Sequence, residues 1–124
     1  MGHLYADMTV KGNKAAVKLK SVLIDTGATY TVLPEEVLKE IGAALLPAKV
    51  EVELGNSKTV KAKAYGVAVK IKGVEAPSVS ITFKGAQTVI GVETLESLGM
   101  KLDPARGKLE FTRPNGMAYF FFGR

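Results

Sequence analysis

One acidic side chain stands where the sequence could support acid–base chemistry. Asp25 directly follows the apolar run at 22–24 and precedes Thr26 and Gly27. A carboxylate at the end of an apolar strand is costly to bury unless it is hydrogen-bonded, paired or protonated. Gly27 lets the backbone approach and donate an N–H to the carboxylate, and Thr26 offers a hydroxyl. The pattern therefore favours a firmly held carboxylate, although Asp-x-Gly is also ordinary turn chemistry.

The remaining composition excludes most other catalytic groups. The 124 residues contain no Cys, a single His at position 3, and Asp only at positions 7, 25 and 103. The absence of Cys excludes a disulfide scaffold, a zinc finger and thiol catalysis, and one His leaves no Ser-His triad or His-based metal cluster. Asp7 and Asp103 lack a preceding apolar strand and a following Gly, which indicates turn or surface positions. Acid–base chemistry must then come from carboxylates, Lys or Tyr, and Asp25 is the Asp whose surroundings suit it; neither a metal nor an organic cofactor is expected.

The distribution of charged and apolar residues indicates which kinds of partner the protein binds and where in the cell it lies. The net charge is +5, from 17 Lys and Arg against 12 Asp and Glu. Most Lys residues alternate with apolar residues, which is typical of the solvent face of half-buried strands rather than of a polyanion site. No apolar run reaches the roughly 20 residues of a membrane span, and no basic, then apolar, signal peptide begins the chain. We therefore expect a cytoplasmic protein that binds neither membrane nor nucleic acid.

Periodicity and turn residues predict a β-rich domain with two short helices, at 34–42 and 92–98. Pro, two acids and a closing Gly mark the first of these helices. Predicted strands lie at 4–10, 14–20, 21–25, 31–33, 49–54, 59–64, 65–72, 74–84, 88–91, 101–103 and 108–111. The chain has 47% hydrophobic residues and no linker. This composition predicts one domain over 1–124, with 113–124 as a C-terminal extension.

Four features, in this order, resemble the retroviral-type aspartic proteases (retropepsins) and their cellular single-domain relatives. They are Asp25-Thr26-Gly27-Ala28, a flap-like hairpin around Gly55-Asn56-Ser57, Val89-Ile90-Gly91 with the helix after it, and Leu102-Asp103-Pro104. The resemblance covers about residues 14–111. It implies an all-β, single-domain retropepsin-like acid-protease barrel, closed as a homodimer, that hydrolyses peptide bonds in a peptide or protein substrate.

The resemblance also implies roles for individual residues. Asp25 is the catalytic carboxylate, Thr26 hydrogen-bonds across the two-fold axis, and Gly27 positions the substrate backbone. The remaining positions are substrate-binding: Ala28 on the cleft floor, Gly55, Asn56 and Ser57 in the flap, and Ile90 and Gly91 beneath the active-site loop. The sequence departs from the retroviral pattern in two places, since the flap tip has one Gly and the chain continues beyond Phe111.

Simple counting of Asp residues then predicts assembly. Acid–base hydrolysis of a peptide needs two carboxyls, and two carboxyls about 3 Å apart share one proton, as in the aspartic proteases. One Asp-Thr-Gly per chain supplies half of such a dyad, so the second Asp25 must come from another copy in a C2 dimer. The Phe-rich tail at 117–122 could add a strand to that dimer or pack within its own chain.

Two other functions stay open on the sequence alone. One is a catalytically silent relative that binds peptides or proteins through the same cleft. The other is a basic β-domain that binds nucleic acid. The second lacks the aromatic-rich, Lys- and Arg-lined strand pair used for base stacking.

Overall fold

The computed structural model describes residues 3–121 and is mostly β. Within this part of the chain there are nine strands, two short α-helices and one 3-10 turn at Pro114–Gly116. The strands are β1 (Tyr5–Lys11), β2 (Ala16–Ile24), β3 (Thr31–Val32), β4 (Ala44–Glu53), β5 (Thr59–Ile71), β6 (Val74–Thr82), β7 (Val89–Ile90), β8 (Met100–Asp103) and β9 (Lys108–Phe111). The helices are α1 (Glu35–Glu40) and α2 (Val92–Leu98).

Both predicted helices are present, and their ends follow the expected punctuation. Pro34 precedes α1, whose first turn carries two acids, and Gly42 lies just beyond the helix at φ 69°. Gly99 closes α2 in the left-handed region at φ 72°, a conformation that favours glycine. The helices therefore stop where a residue without Cβ lets the chain reverse.

The strands form one large sheet and one separate hairpin. The sheet has the order β1-β2-β7-β3-β6-β5-β4, and β1 also pairs with β5. The pairings thus run from β1 through β2, β7, β3, β6 and β5 back to β1, with β4 added outside this circuit. The short strand β7 is parallel to β2 and antiparallel to β3, while β8 and β9 form a separate antiparallel pair. This topology places the end of β2 beside the end of β7.

The prediction of separate strands at 59–64 and 65–72 is wrong, because β5 is one strand of 13 residues. Its first half pairs with β4, and its second half pairs with β6 and β1, so a partner is available along its whole length. The predicted turn that follows is confirmed, since Lys72 and Gly73 both have positive φ. Because β5 has a hydrogen-bonded partner along its whole length, the strand continues through the break that the sequence pattern indicates.

The runs predicted at 14–20 and 21–25 likewise belong to one strand, β2. The strand continues through an irregularity opposite β1, where the register shifts between Ala6 and Met8 and Ser21 has φ 53°. The Asp7 carboxylate accepts the Ser21 N–H at 2.9 Å there. Asp7 is therefore an exposed carboxylate that stabilises this irregularity, in agreement with its predicted surface position.

The core lies between the large sheet and the two helices. Its largest fully buried side chains come from β1, β5, β7, α1, α2 and the segment before α1: Met8, Val10, Leu33, Leu38, Ile41, Val69, Ile71, Ile90 and Leu98. A second, smaller cluster of buried residues contains Val32, Ala62, Ala64 and Ile81. Ile90 thus anchors β7 in the core, and its carbonyl oxygen accepts the Asp25 N–H.

The described part of the tail forms no strand. Arg113 holds the start of the tail against α2 by donating from its guanidinium to the carbonyl oxygens of Met117, Glu96 and Ser97. Beyond this anchor, Phe120 is 83% exposed and Phe121 is 66% exposed. Phe122 lies outside the described residues. In a single chain these two aromatic side chains are therefore largely exposed to solvent.

Candidate active site

Asp25 occupies the first position after β2, and its backbone and side chain are both held. Its N–H donates to the Ile90 carbonyl oxygen at 2.9 Å. Its Oδ1 accepts the Gly27 N–H at 2.9 Å, and its carbonyl oxygen accepts the Ala28 N–H at 3.0 Å. The predicted approach of the Gly27 N–H to the carboxylate is thus confirmed, within a tight turn over residues 25–28.

The segment after β7 fastens the other side of this turn. Ile90 pairs with Ile24 in the parallel ladder between β7 and β2. The Val92 N–H donates to the Ala28 carbonyl oxygen at 2.9 Å, and the Glu93 N–H donates to the Thr29 carbonyl oxygen at 2.8 Å. The 90–93 segment therefore makes hydrogen bonds to both ends of the turn at residues 25–29. The bonded residues are about 64 positions apart in the sequence.

Gly91 lies at the closest approach between the two segments. A Cβ at this position would lie 2.5 Å from the Tyr30 carbonyl oxygen and 2.8 Å from the Thr31 backbone nitrogen. The φ of Gly91 is −98°, which any residue adopts, so the reason for glycine is space rather than backbone conformation. The Gly91 N–H donates to Thr31 Oγ1 at 3.0 Å.

Asp25 is one of the residues that line a cavity of about 370 Å³. Asp25 and Ala28 are half-buried, whereas Thr26 and Gly27 are exposed. The cavity wall opposite the turn comes from the N-terminal segment and the β8–β9 hairpin; the lining includes Leu4, Leu23, Leu102, Pro104 and Gly107. Among the described residues, Asp25 is the only carboxylate that lines it. One chain therefore presents a single carboxylate in a mainly apolar recess, whose lining also includes His3 and Thr26.

The predicted flap is a hairpin tip between β4 and β5. The Leu54 N–H donates to the Lys58 carbonyl oxygen at 2.7 Å, and the Asn56 Oδ1 accepts the Lys58 N–H at 3.0 Å. Gly55, Asn56 and Ser57 are exposed, and Ser57 has φ 68°. The structure thus brings the turn at residues 25–28 together with Ile90 and Gly91. The tip residues, in contrast, make their hydrogen bonds within their own hairpin.

Asp103 has a local structural role, as predicted. Its Oδ1 accepts the N–H groups of Ala105 and Arg106 at 3.1 and 3.3 Å, and its carbonyl oxygen accepts the Gly107 N–H. The side chain caps the turn between β8 and β9 and is committed to that turn. Among the Asp residues that the structure describes, Asp25 is the one that lines the cavity.

A second cavity, of about 810 Å³, lies between α1, β5 and the loop after β6. The Lys63 ammonium crosses from β5 to the Glu35 carboxylate of α1 at 2.9 Å. This hydrogen bond, together with the charge of Lys39, lowers the pKa of Glu35, and the same bond raises the pKa of Lys63. This pair was not predicted from the sequence, because the two residues are 28 positions apart and only the fold brings them together.

A group of polar side chains behind the site was also not predicted from the sequence; three of them are buried, and Glu93 is half-buried. Thr31, Ser78, Thr94 and Glu93 are joined by hydrogen bonds of 2.5 to 2.8 Å. The only sequence signal is the alternation of small polar residues along β6, at Ser78, Ser80 and Thr82. This alternation is equally typical of an exposed sheet face, and only burial shows that these hydroxyls point inward.

In residues 3–121, no group of three or more His, Cys, Asp or Glu side chains is placed to hold a metal ion. The helices in the same part of the chain are too short and insufficiently apolar to cross a membrane.

The site and the mostly-β fold together define an aspartyl-protease-like domain: an Asp-Thr-Gly turn at a strand end, supported by a Val-Ile-Gly strand and helix. Comparison with protein families agrees, because residues 7–97 match the family described as "gag-polyprotein putative aspartyl protease". This match covers most of the 124 residues, and the chain belongs to this retropepsin-like aspartyl protease family. No curated protein matches the chain.

Proposed function

We propose that the protein is a homodimeric aspartic endopeptidase in which two copies of Asp25, one from each chain, activate water. The observation that carries the proposal is the environment of Asp25. Its backbone and one carboxylate oxygen are held by three hydrogen bonds, and it lines a recess that contains no second carboxylate among the described residues. Membership of the aspartyl protease family supports the same reaction.

The held carboxylate suits a shared-proton mechanism. One Asp25 is ionised and takes a proton from water, whose oxygen attacks the peptide carbonyl carbon, while the protonated Asp25 of the partner donates to the carbonyl oxygen. In the tetrahedral diol, the C–N bond then breaks. The leaving nitrogen takes the proton from the first Asp25, and a diol hydroxyl returns its proton to the second. Water is consumed, and the dyad ends as it began, with one proton.

The exposed surface of a single chain supports the dimer. Thr26 and Gly27 are exposed in the turn where the resemblance places the two-fold axis. Large apolar side chains are exposed on β1 and in the tail, including Tyr5 at 54% and Phe120 at 83% exposure. In this proposal the chain forms one retropepsin-like barrel, and the hairpin tip at Gly55, Asn56 and Ser57 closes over the substrate. Ala28, Ile90 and Gly91 shape the floor of the cleft.

The primary test compares wild-type protein with Asp25→Asn on a denatured protein substrate. Asn keeps the size of the side chain and an oxygen that can accept the Gly27 N–H, but it cannot exchange the catalytic proton. We expect the variant to retain the unfolding temperature and lose cleavage. Equal cleavage by both proteins would refute the assignment. If neither protein cleaves the substrate but both bind it, the protein is the catalytically silent relative.

A mixing experiment tests the shared site directly. Wild-type protein at constant concentration is equilibrated with excess Asp25→Asn, and residual cleavage is measured. If each site needs Asp25 from both chains, a ninefold excess lowers activity to about one tenth by random pairing of subunits. A site within one chain predicts no loss. A statine-containing peptide, whose hydroxyl imitates the tetrahedral intermediate, should inhibit the wild-type dimer.

A further inference from the structure

A chain of side-chain hydrogen bonds, buried except at its Glu93 end, runs behind the active-site turn. Thr31 Oγ1 lies 2.5 Å from Thr94 Oγ1, which is 2.8 Å from Ser78 Oγ. Ser78 Oγ donates to Glu93 Oε1 at 2.8 Å. Thr31 and Thr94 are fully buried, and Ser78 is 5% exposed. We call these four residues, Thr31, Thr94, Ser78 and Glu93, the hydroxyl relay.

The carboxylate at one end sets the direction of every bond in the relay. Each hydroxyl has one proton to donate. Because Ser78 gives its proton to Glu93, it must accept from Thr94, and Thr94 must in turn accept from Thr31. Thr31 then has only lone pairs to offer, and one of them accepts the Gly91 N–H at 3.0 Å. The relay therefore has a single consistent arrangement of protons that ends on the Gly91 amide.

Glu93 is itself well fixed at the other end. Its Oε1 also accepts the Val79 N–H at 3.1 Å, and its Oε2 accepts the Ser97 hydroxyl at 3.0 Å. Its backbone N–H donates to the Thr29 carbonyl oxygen in the active-site turn. The relay thus joins β3, β6 and α2 around one carboxylate, and it does so beside the segment that supports Asp25.

The end of the relay is one peptide unit from Asp25. Gly91 N belongs to the same peptide group as the Ile90 carbonyl, and that carbonyl oxygen accepts the Asp25 N–H at 2.9 Å. A rotation of this peptide would move its N–H and its carbonyl oxygen together, because the group is planar. Holding the Gly91 N–H therefore also holds the acceptor of the Asp25 N–H.

We propose that Thr31, Thr94, Ser78 and Glu93 are positioning residues for Asp25, which fix the Ile90–Gly91 peptide through this ordered relay. The catalytic part of the proposal rests on the proposed endopeptidase function; the structural part does not. None of the four side chains is assigned to contact substrate. They act by restricting the position of the carboxylate, and displacements near 1 Å at a reacting group reduce rates by about a hundredfold.

Strand β6 supplies a matched control. Ser80 is fully buried, two residues from Ser78, and its Oγ has no hydrogen-bond partner among the described residues. Ser78→Ala and Ser80→Ala therefore remove the same atoms from equally buried positions of one strand, and only the first interrupts the relay. A second pair is Thr94→Val, which removes the hydroxyl and keeps the shape, and Thr94→Ser, which keeps the hydroxyl.

The experiment measures kcat and KM for the four variants at concentrations where sedimentation shows the wild-type oligomer, together with hydrogen exchange at the Gly91 and Asp25 amides. We expect Ser78→Ala and Thr94→Val to lose at least about tenfold in kcat with little change in KM. Their Gly91 amides should exchange faster than in wild-type protein. Ser80→Ala and Thr94→Ser should resemble wild-type protein in both measurements.

The two readouts separate this proposal from the proposed function. If wild-type protein cleaves no substrate but Ser78→Ala still accelerates exchange at Gly91, the endopeptidase assignment fails and the relay stands as a structural device. If wild-type protein is active and Ser78→Ala matches Ser80→Ala in kcat and in exchange, the relay proposal fails. Equal losses in both serine variants would also overturn it, because they would indicate a general packing effect.

Discussion

Gly91→Ala is the substitution for which the structure predicts the most specific damage. The added Cβ would lie 2.5 Å from the Tyr30 carbonyl oxygen and 2.8 Å from the Thr31 backbone nitrogen. Ordinary van der Waals contact begins at about 3.4 Å, so the two segments must separate by nearly 1 Å. Both contacts are backbone atoms, which cannot rotate away as the end of a flexible side chain would.

The expected cost follows from that displacement. Overpacking of this kind typically destabilises a protein by about 1–3 kcal/mol, measured as a lower free energy of unfolding in urea. The same separation stretches the hydrogen bonds of the 90–93 segment to the active-site turn, so the Asp25 carboxylate moves with it. We therefore expect kcat to fall by about a hundredfold, well beyond what the loss of folded protein explains.

Gly66→Ala is the matched control for this experiment. Gly66 lies within β5, and a Cβ there would meet only Leu46 Cδ2, at an ordinary contact distance of 3.7 Å. This variant should unfold at or slightly above the wild-type temperature, because alanine restricts the unfolded chain. A Gly91→Ala protein with wild-type stability and wild-type kcat would refute the reasoning about close packing beneath Asp25.

Two further predictions concern the surface. Because the Lys63 ammonium lowers the pKa of Glu35, the pair stabilises the folded state above the unfolded-state pKa of Glu35, and this contribution disappears as pH falls through the lower folded pKa. Lys63→Met should therefore be less stable than wild-type protein in urea unfolding near neutral pH, and the difference should vanish in acid; a constant difference would contradict this origin. Truncation after Met117 removes Phe120 and Phe121, which are exposed in one chain. If the dimer covers even one of them, the dissociation constant from sedimentation equilibrium should rise by at least about tenfold, whereas an unchanged constant would place the tail outside the interface.

Local sequence patterns predicted the parts of the site that depend on neighbouring residues. The apolar run before Asp25, the Gly two positions after it, and the Pro and Gly around α1 each act within a few residues of chain. For this reason the held carboxylate, both helices and the main hairpin turns could be predicted without knowledge of the fold. The single Asp-Thr-Gly also sets the stoichiometry of the proposed dyad, since counting requires no coordinates.

Contacts between distant segments could not be predicted in this way. Nothing near Thr31 in the sequence indicates that its hydroxyl accepts the Gly91 N–H, 60 residues away. The continuity of β5 also depends on partners, because β4, β6 and β1 each pair with part of it. Sequence alone therefore determined that Asp25 is the available Asp and that each chain supplies one such residue to the proposed dyad. Tertiary structure decided how firmly that carboxylate is held, because its supports are backbone and hydroxyl groups that only the closed pairing of strands brings within hydrogen-bond distance.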